Sequence, residues 1–432
     1  MRVRASIRWS IVAALSAAVP YQAAAQRQML PSLFPEGVPG YDTAPGVTVR
    51  SRLHPDWTPQ GVRAGALRIF PTLDVVTGYD SNIQGNAGGG RGGWQVTTSP
   101  GITAATDWSR DQVGASVNLD STQYPGMPAQ NQTNGTAAAG ARLDIGQDQL
   151  TIAAAHVARH EQAGAINTLA STLPISVQVN DLRASYAVNR GRWSLTPALD
   201  LAGWHYGDAT INGQPASQGY RDRMVADGSL ALRYQLAPLR NLLFVMRALG
   251  QSYTNVPAGQ PSADSQAYQA LAGLDYDIDA LWRLRLLAGG ESRQFSAAAY
   301  KARNTLIAEA EVTWFPTQLT TLHLALGRDT QDAAQEGVAG LVYTAARLSI
   351  DHELRRNLIL NVYAAWQQAA YFGGGQQTGY AAGAGLVWAL NRSMRLSVTY
   401  DQTDLRGGQN SAGSLSTGYT RGLSLLSLHF GL

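Results

Sequence analysis

Glu309 and Glu311 are two carboxylates separated by one residue, in a stretch where apolar residues fill the alternate positions. A period of two is that of a β-strand, so both carboxylates would point to one face and Ala308, Ala310 and Trp314 to the other. In a soluble protein the apolar face would meet a core, whereas in an outer-membrane barrel it would meet lipid. In the second case the two carboxylates would face a water-filled lumen.

The same alternation assigns further charged residues to the polar faces of their strands. The candidates for lining a lumen are Arg283, Arg285, Glu309, Glu311, Arg347, Asp351, Asp275, Asp277, Arg233 and Asp227. Mixed charges suit the passage of a hydrated solute, and Arg together with Asn, Gln and Tyr is a set of side chains that binds sugars. The alternative is that these charges only pair across strands and solvate the interior.

Residue sets for catalysis, metal binding or cofactor binding are not found. His156 and His160 have the spacing of ligands on a helix, but on a strand they would lie about 13 Å apart. The sequence contains no G-x-S-x-G nucleophile elbow, and the glycine-rich stretch 85–93 lacks the Lys-Ser/Thr ending of a phosphate-binding loop. We therefore expect no enzymatic activity, no metal and no cofactor.

The strands that would position these residues are predicted from residue 66 to the end of the chain, as segments of 10 to 15 residues with period two. Short connections are expected at 109–112, 146–149, 189–192, 237–241, near 279, and at 316–319, 354–357 and 391–393. Longer loops rich in Gly, Pro, Asn and Gln are expected near 81–93, 123–134, 160–174, 207–221, 254–265, 295–303, 329–341, 370–379 and 402–419. Eight short turns and nine long loops predict an all-β, antiparallel, up-and-down transmembrane barrel of about eighteen strands. Sixteen strands are the alternative, if the hairpin around 150–189 is misread.

The start of the chain has the pattern of an export signal. Residues 1–8 are basic, 9–19 are apolar, and three alanines at 23–25 offer a cleavage site, so 1–25 is predicted to be a signal peptide. Residues 26–65 are Pro-rich and irregular and are predicted to be a periplasmic segment that serves as a docking arm or folds partly into the pore. Residues 66–432 would form the barrel. Removal of the signal peptide would leave 30 basic and 30 acidic residues, which gives no reason to expect a nucleic-acid partner.

Aromatic residues concentrate at the two ends of the predicted strands. Trp108, Trp193, Trp282, Trp314 and Trp388 lie at the short-turn ends, and Tyr79, Trp94, Tyr268 and Tyr380 are among those at the long-loop ends. Two aromatic belts are expected where a barrel wall meets the two membrane interfaces. This placement favours the membrane barrel over a soluble β-sandwich, which would bury tryptophans in mid-strand.

The segment that leads into the first strand carries a recognisable motif, made of Arg52, Pro55, Trp57, Pro59, Gly61, Arg63, Gly65 and Pro71, followed by Gly78, Tyr79, Asp80 and Asn82. Over about 30 residues this run resembles the start of the putative outer-membrane β-barrel porin 2 family. Trp57 stands where a Tyr is usual, and Ser81 where a second Asp is frequent. The resemblance implies a pore in the outer membrane, associated with exopolysaccharide export or of general type.

Three functions therefore follow from the sequence, in order of preference. The first is an outer-membrane pore for a hydrated solute, involved in exopolysaccharide export; the second is a structural or assembly barrel with a closed lumen and partner-binding loops; the third is an outer-membrane enzyme. Lipid and the barrel-assembly machinery are expected partners of any such barrel, with polysaccharide and periplasmic export components added by the first function.

Overall fold

The computed structural model describes residues 38–41, 48–49, 56–278, 281–407 and 418–432, which form mostly β-structure. The predicted signal peptide 1–25 lies outside the described residues. The long strands, numbered in chain order, are β1 (Leu67–Asp80), β2 (Gly93–Thr106), β3 (Gln112–Gln123), β4 (Gln132–Ile145), β5 (Asp148–Glu161), β6 (Ile175–Arg190), β7 (Trp193–Tyr206), β8 (Arg223–Ala237), β9 (Arg240–Tyr253), β10 (Ser265–Ile278), β11 (Trp282–Phe295), β12 (Arg303–Thr317), β13 (Thr320–Gln331), β14 (Leu341–Arg355), β15 (Leu358–Tyr371), β16 (Gln376–Ala389), β17 (Met394–Gly407) and β18 (Gly418–Gly431).

The sheet closes on itself. Each strand pairs antiparallel with its neighbours in the chain, and β1 also pairs with β18, from Thr72 opposite Gly431 to Asp80 opposite Leu423. The prediction of an antiparallel barrel with eighteen strands is confirmed. The hairpin suspected of being misread is formed by β5 and β6, so the sixteen-stranded alternative is wrong.

Alternation within each strand separates an outer from an inner face. On β12 the Leu306 side chain is 67 % exposed, whereas its neighbour Ile307 is 3 % exposed. Because successive side chains point to opposite sides, Ala308, Ala310 and Val312 share the outer face with Leu306. A large apolar side chain that is exposed on the outside of a closed barrel is the pattern expected where the wall meets lipid.

With the exception of 372–375, which is as short as the turn 390–393, the connections alternate between short and long, as predicted. The turns 146–147 and 191–192 contain two residues each, and Gly146 and Gly191 have the positive φ that such tight hairpins require. On the other side, the connections 162–174 and 207–222 contain 13 and 16 residues. The loop expected at 370–379 is only 372–375, because β16 already begins at Gln376. The turn expected near 279 and the loop residues 408–417 lie outside the described residues.

Small elements complete the described structure. Val62–Ala64 pairs back onto β1, and Ala209–Ile211 with Gln214–Ala216 forms a hairpin inside the 207–222 loop. Single 3-10 turns occur at Pro128–Gln130 and Gly219–Arg221. Among the described residues, no helix is long and apolar enough to cross a membrane.

Part of the predicted N-terminal segment 26–65 lies inside the barrel. Val38 and Tyr41 are buried against inward-facing residues of β4 to β8, and the Val49 N–H donates to Thr321 Oγ1 on β13 at 3.1 Å. The segment meets the barrel wall at the short-turn rim, where the Gly61 N–H donates to the Leu432 carbonyl at 3.1 Å. The described residues of the segment therefore lie against the inner wall, while a role of the segment as a periplasmic docking arm stays a prediction.

The closed hydrogen-bond ladder predicts heat-modifiable migration. A barrel without a free edge should resist mild detergent, so the unheated protein should run faster on a gel than the boiled, unfolded chain. The measurement is semi-native electrophoresis of the same sample with and without boiling. Equal mobility in the two lanes would contradict a closed barrel.

Candidate functional site

The inner face of the barrel carries the charged residues that the sequence assigned to it. All ten predicted pore-lining residues lie on the inward face of their strands, and the structure divides them into three groups. Asp227, Glu309 and Glu311 line a cavity inside the barrel. Arg233, Asp275, Asp277, Arg283 and Arg285 lie nearer the short-turn rim, and Arg347 and Asp351 lie on β14, the strand beside β13. Their role in a conducting path stays a prediction.

The cavity has a volume of about 550 Å³ and lies against the inner faces of β5 to β13. Glu309 Oε1 pairs with Arg247 Nη1 at 3.4 Å, across strands β12 and β9. Arg183 Nε pairs with Asp181 Oδ1 at 3.0 Å and with Asp200 Oδ2 at 2.8 Å. Both signs of charge therefore face the same space. Glu309, Arg247, Arg183 and Asp200 retain exposed surface that a solute could contact, whereas the Asp181 side chain is buried.

Nearer the short-turn rim, the charges form looser pairs. Arg283 Nε lies 3.7 Å from Asp277 Oδ2, and Arg233 Nη2 lies 3.9 Å from Asp275 Oδ2. Arg285 stands directly opposite Glu311 in the register of β11 and β12. Ion pairs of this length between partly exposed groups contribute little to stability, so these side chains can exchange partners with a passing solute.

The wall formed by β14 to β17 holds a separate polar network. The Arg347 guanidinium lies 3.7 Å from the centre of the Tyr363 ring, and Tyr363 Oη donates to Asp401 Oδ1 at 2.5 Å. Asp351 Oδ1 accepts a hydrogen bond from Asn361 Nδ2 at 2.8 Å. These residues belong to β14, β15 and β17. The sequence assigned Arg347 and Asp351 to the interior but did not indicate which side chains they would contact.

The sequence did not indicate two buried ion pairs at the wall of the cavity. Arg293 Nε binds Glu291 Oε1 at 3.0 Å within β11, and Arg223 Nε binds Asp332 Oδ2 at 2.9 Å. Arg293 and Glu291 continue the inward series that begins with Arg283 and Arg285, so extending the alternation by eight residues would have found them. Asp332 lies just beyond the end of β13, where strand alternation gives no information.

Two long loops fold inward and meet across the barrel; we call loops 162–174 and 332–340 together the clasp. Asn167 Nδ2 donates to the Asp332 carbonyl at 2.9 Å, and Asn167 Oδ1 accepts from the Ala334 N–H at 2.9 Å. The Asn167 N–H donates to Gln377 Oε1 on β16 at 2.8 Å. Residues from the clasp and the facing wall bury an apolar cluster that includes Ile166, Leu169, Leu341 and Tyr371. The clasp therefore narrows the long-loop end of the lumen.

The 207–222 loop supports the clasp from the side. Tyr220 Oη donates to the Ala334 carbonyl at 2.6 Å, and burial raises the pKa of Tyr220 to about 12. The phenol therefore stays protonated, and able to donate this hydrogen bond, through the neutral pH range. Arg221 forms a bidentate pair with Glu161 at 3.0 and 2.6 Å and stacks on the Tyr206 ring at 3.9 Å.

The predicted aromatic residues lie at the ends of the strands. Trp282 and Trp314 stack at the short-turn end with ring centres 5.1 Å apart, and Trp193 packs on Tyr234 at 4.4 Å. Trp108 lies in the 107–111 turn, and Trp388 is the penultimate residue of β16; both are about half exposed. A ring of exposed indoles at this level is consistent with the predicted girdle, whose contact with lipid stays a prediction.

The motif residues before and within β1 lie at the rim and at the seam between β1 and β18. Of the candidates Pro55, Trp57, Pro59, Gly61, Arg63, Gly65, Tyr79, Asp80 and Asn82, Pro55 lies outside the described residues. The Trp57 carbonyl accepts from Arg395 Nη2 at 3.1 Å, and Gly61 and Gly65 have positive φ. Asp80 forms a buried bidentate pair with Arg421 on β18, and it also accepts from the Asn82 N–H at 2.9 Å. These contacts give the motif a structural role in closing the barrel.

Histidine and carboxylate positions give no metal centre within the described ranges, where no group of three or more His, Cys, Asp or Glu is placed to hold an ion. His156 lies on the outer face of β5, and its Nδ1 is 2.8 Å from Asn180 Oδ1 on β6. His160 Nδ1 lies 3.0 Å from Asn134 Oδ1. His156 and His160 thus each have a neighbouring asparagine side chain as a polar partner.

A closed barrel with alternating short turns and long loops, and with charged residues inside, defines the class of porin-like outer-membrane barrels. The chain matches the model of the family "Putative beta-barrel porin 2" over residues 54–420 and belongs to that family. Porin-family barrels are outer-membrane proteins. The family assignment suggested by the motif before β1 is therefore confirmed.

Solved structures with a similar barrel include three bacterial outer-membrane proteins. OccK2 (OpdF) of Pseudomonas aeruginosa is 12 % identical, with 85 % of this chain and 97 % of that chain covered and a TM-score of 0.46. OpdK of the same organism, solved with vanillate, is 12 % identical with 84 % and 98 % covered and a TM-score of 0.43. OccAB2 of Acinetobacter baumannii is 11 % identical with 85 % and 98 % covered and a TM-score of 0.44. A comparison with curated proteins gives no significant match.

Proposed function

We propose that the protein is an outer-membrane channel for a small hydrated solute. The observation that carries the proposal is the cavity of about 550 Å³, in which the charged side chains of Glu309, Arg247, Arg183 and Asp200 face one space. This volume falls within the range of about 300–1,000 Å³ that is typical of small-molecule sites. A solute with several hydroxyl or charged groups could exchange water for these side chains in steps as it crosses.

Exopolysaccharide export, which the resemblance to the family implied, is the second candidate. The interior offers the Arg, Asn, Gln and Tyr side chains that bind sugars, including Arg347, Asn361 and Tyr363. A polymer chain would need a continuous path, so the clasp would have to leave the lumen during export. The geometry therefore favours a mono- or oligosaccharide, or another solute of that size, over a polymer.

Single-channel recording in planar bilayers tests the proposal directly. The purified protein should give discrete conductance steps, whereas a structural barrel or an outer-membrane enzyme with a closed lumen should give none. Liposome swelling then separates the two candidates: monosaccharides should enter quickly and long oligosaccharides should not. Equal entry of both would favour polymer export.

Replacing Glu309 and Glu311 together by Gln should shift the ion preference of the channel towards anions. The carboxylates are about 7 Å apart on one strand face, which is less than the Debye length of about 8–10 Å near physiological salt. Their potentials therefore overlap, and the double change should exceed either single change. Removing them also leaves Arg247 and Arg285 without their acidic neighbours.

The measurement is the reversal potential under a salt gradient. Asp404→Asn is the control, because Asp404 lies on the outer face of β17, on the side away from the lumen. An unchanged reversal potential in the double variant would place Glu309 and Glu311 outside the conducting path.

A further inference from the structure

The N-terminal residues 38–41 pack closely against the inner wall of the barrel. The exposed fractions of Val38 and Tyr41 are 0 % and 3 %, and both pack on the inner faces of strands from β4 to β8. Tyr41 Oη donates to Asp181 Oδ1 at 2.7 Å, and the Arg183 guanidinium lies 4.8 Å from the centre of the Tyr41 ring. The same Asp181 and Arg183 form the ion pair at the edge of the cavity, and Gly40 lines that cavity.

The wall beneath these residues is built from small side chains. Ala138 and Gly140 on β4, and Ala153 and Ala155 on β5, face inward at this level. A Cβ atom added to Gly140 would lie 1.9 Å from the Pro39 carbonyl oxygen, and one added to Gly40 would lie 2.6 Å from Ala153 Cβ. Contacts this short cannot form, so the two glycines allow the segment to approach the wall closely.

Residues 38–41 form a turn and belong to no strand of the sheet. Tyr41 contacts the wall through its side chain, and further along the chain the Val49 N–H donates to Thr321 Oγ1 on β13. Strands β5 and β6, by contrast, pair over thirteen residue positions. Because residues 38–41 lie outside the strand ladder, they can leave the wall without unfolding the barrel.

We propose that residues 38–41 are a removable plug that narrows the lumen beside the cavity and limits passage while Tyr41 is bound to Asp181. The proposal rests on the channel function proposed above. When Tyr41 leaves Asp181, the cavity gains the space of the segment, and the Asp181–Arg183 pair becomes exposed to solute. The clasp narrows the long-loop end and the plug narrows the path below it, so the two act on different parts of the lumen.

Thiol labelling tests the position of the plug without any measurement of transport. The chain has no cysteine, so Val38→Cys and Lys301→Cys each provide one unique thiol. In the folded protein a water-soluble maleimide should label Cys at the exposed position 301 quickly and at position 38 slowly. In the double variant Val38→Cys/Gly140→Ala, position 38 should be labelled quickly. The new methyl group at position 140 would clash with the Pro39 carbonyl and displace residues 38–41 from the wall.

Single-channel conductance tests the effect of the plug. Gly140→Ala and Tyr41→Phe should both increase the conductance or the time spent open, and deletion of residues 26–49 should increase it most. Gly250→Ala is the matched control, because a Cβ atom at Gly250 meets no atom within 4 Å. Heat-modifiable migration of each variant shows that the barrel has folded.

The outcomes separate the plug from the channel. Fast labelling at position 38 in the folded protein, or equal conductance of the wild type and the deletion variant, would overturn the plug and leave the channel in place. If folded wild-type and deletion variants both give no conductance, the proposed channel function fails, whatever the labelling shows. The plug is supported if position 38 is labelled slowly, if Gly140→Ala makes this labelling fast, and if Gly140→Ala and the deletion variant have a larger conductance than the wild type.

Discussion

Ala310→Arg should destabilise the folded barrel by about 2–4 kcal/mol, the cost of an arginine on the lipid face near the middle of a membrane strand. Ala310 lies at the centre of β12, on the outer face, and its cross-strand neighbours are Leu286 on β11 and Leu326 on β13. No acidic residue stands directly opposite it on either strand. The guanidinium would therefore have to reach a membrane interface along an apolar wall.

Glu309→Arg is the matched comparison, one residue away on the same strand. Its side chain faces the polar interior, so the new charge stays hydrated and only its repulsion with Arg247 opposes it. The free energy of unfolding of both variants is measured by urea titration in lipid vesicles, with folded protein scored by gel mobility. A tolerated Ala310→Arg together with a strongly destabilising Glu309→Arg would show that the inner and outer faces are inverted.

Arg421→Ala should cost about 3–5 kcal/mol, the range for breaking a buried ion pair by removing one partner. Asp80 has no exposed surface, and its carboxylate accepts from Arg421 and from the Asn82 N–H. Without Arg421, a buried carboxylate at the seam between β1 and β18 would lose its charged partner. The loss falls where the first and last strands must pair, so it should also slow closure of the barrel.

The double variant Asp80→Ala/Arg421→Ala is the control. Removing both charges avoids the unpaired carboxylate, so the double variant should be more stable than Arg421→Ala alone. Both are compared with the wild type in the same urea titration, and the fraction folded after refolding into vesicles is followed over time. A double variant less stable than Arg421→Ala would show that packing of these side chains, not their charge, holds the seam.

The faces of the strands could be predicted because they depend on local sequence alone. Glu309 and Ala310 fall on opposite sides of β12 whatever the rest of the chain does, since a strand has a period of two. The count of strands followed from the same alternation and from the turn residues between them. Even the inward position of Arg283 and Asp277 needed no knowledge of their partners.

Contacts made by loops could not be predicted in this way. Asn167 binds Gln377, which lies 210 residues away, and no local pattern indicates that a loop will fold inward or which strand it will reach. Tyr41 and Asp181 are 140 residues apart, and the segment that contains Tyr41 has no periodicity. The motif residues Asp80 and Asn82 were recognisable in the sequence, but their structural role appears only when β18 brings Arg421 beside them.

The clasp has a mechanical consequence for the barrel. Its 162–174 loop leaves the wall between β5 and β6 and reaches Gln377 on β16, which is ten strands further round a ring of eighteen. The loop therefore connects two nearly opposite sides of the barrel. Without a connection across the lumen, the cross-section of an eighteen-stranded barrel can flatten, because the hydrogen bonds between its strands resist stretching more than bending. Through Asn167, the loop acts as a brace that fixes the distance between two facing walls and thereby keeps the cross-section round at the level of the cavity. Loss of the Asn167 hydrogen bonds would weaken this brace and make the wall easier to deform, with no change in the strands themselves.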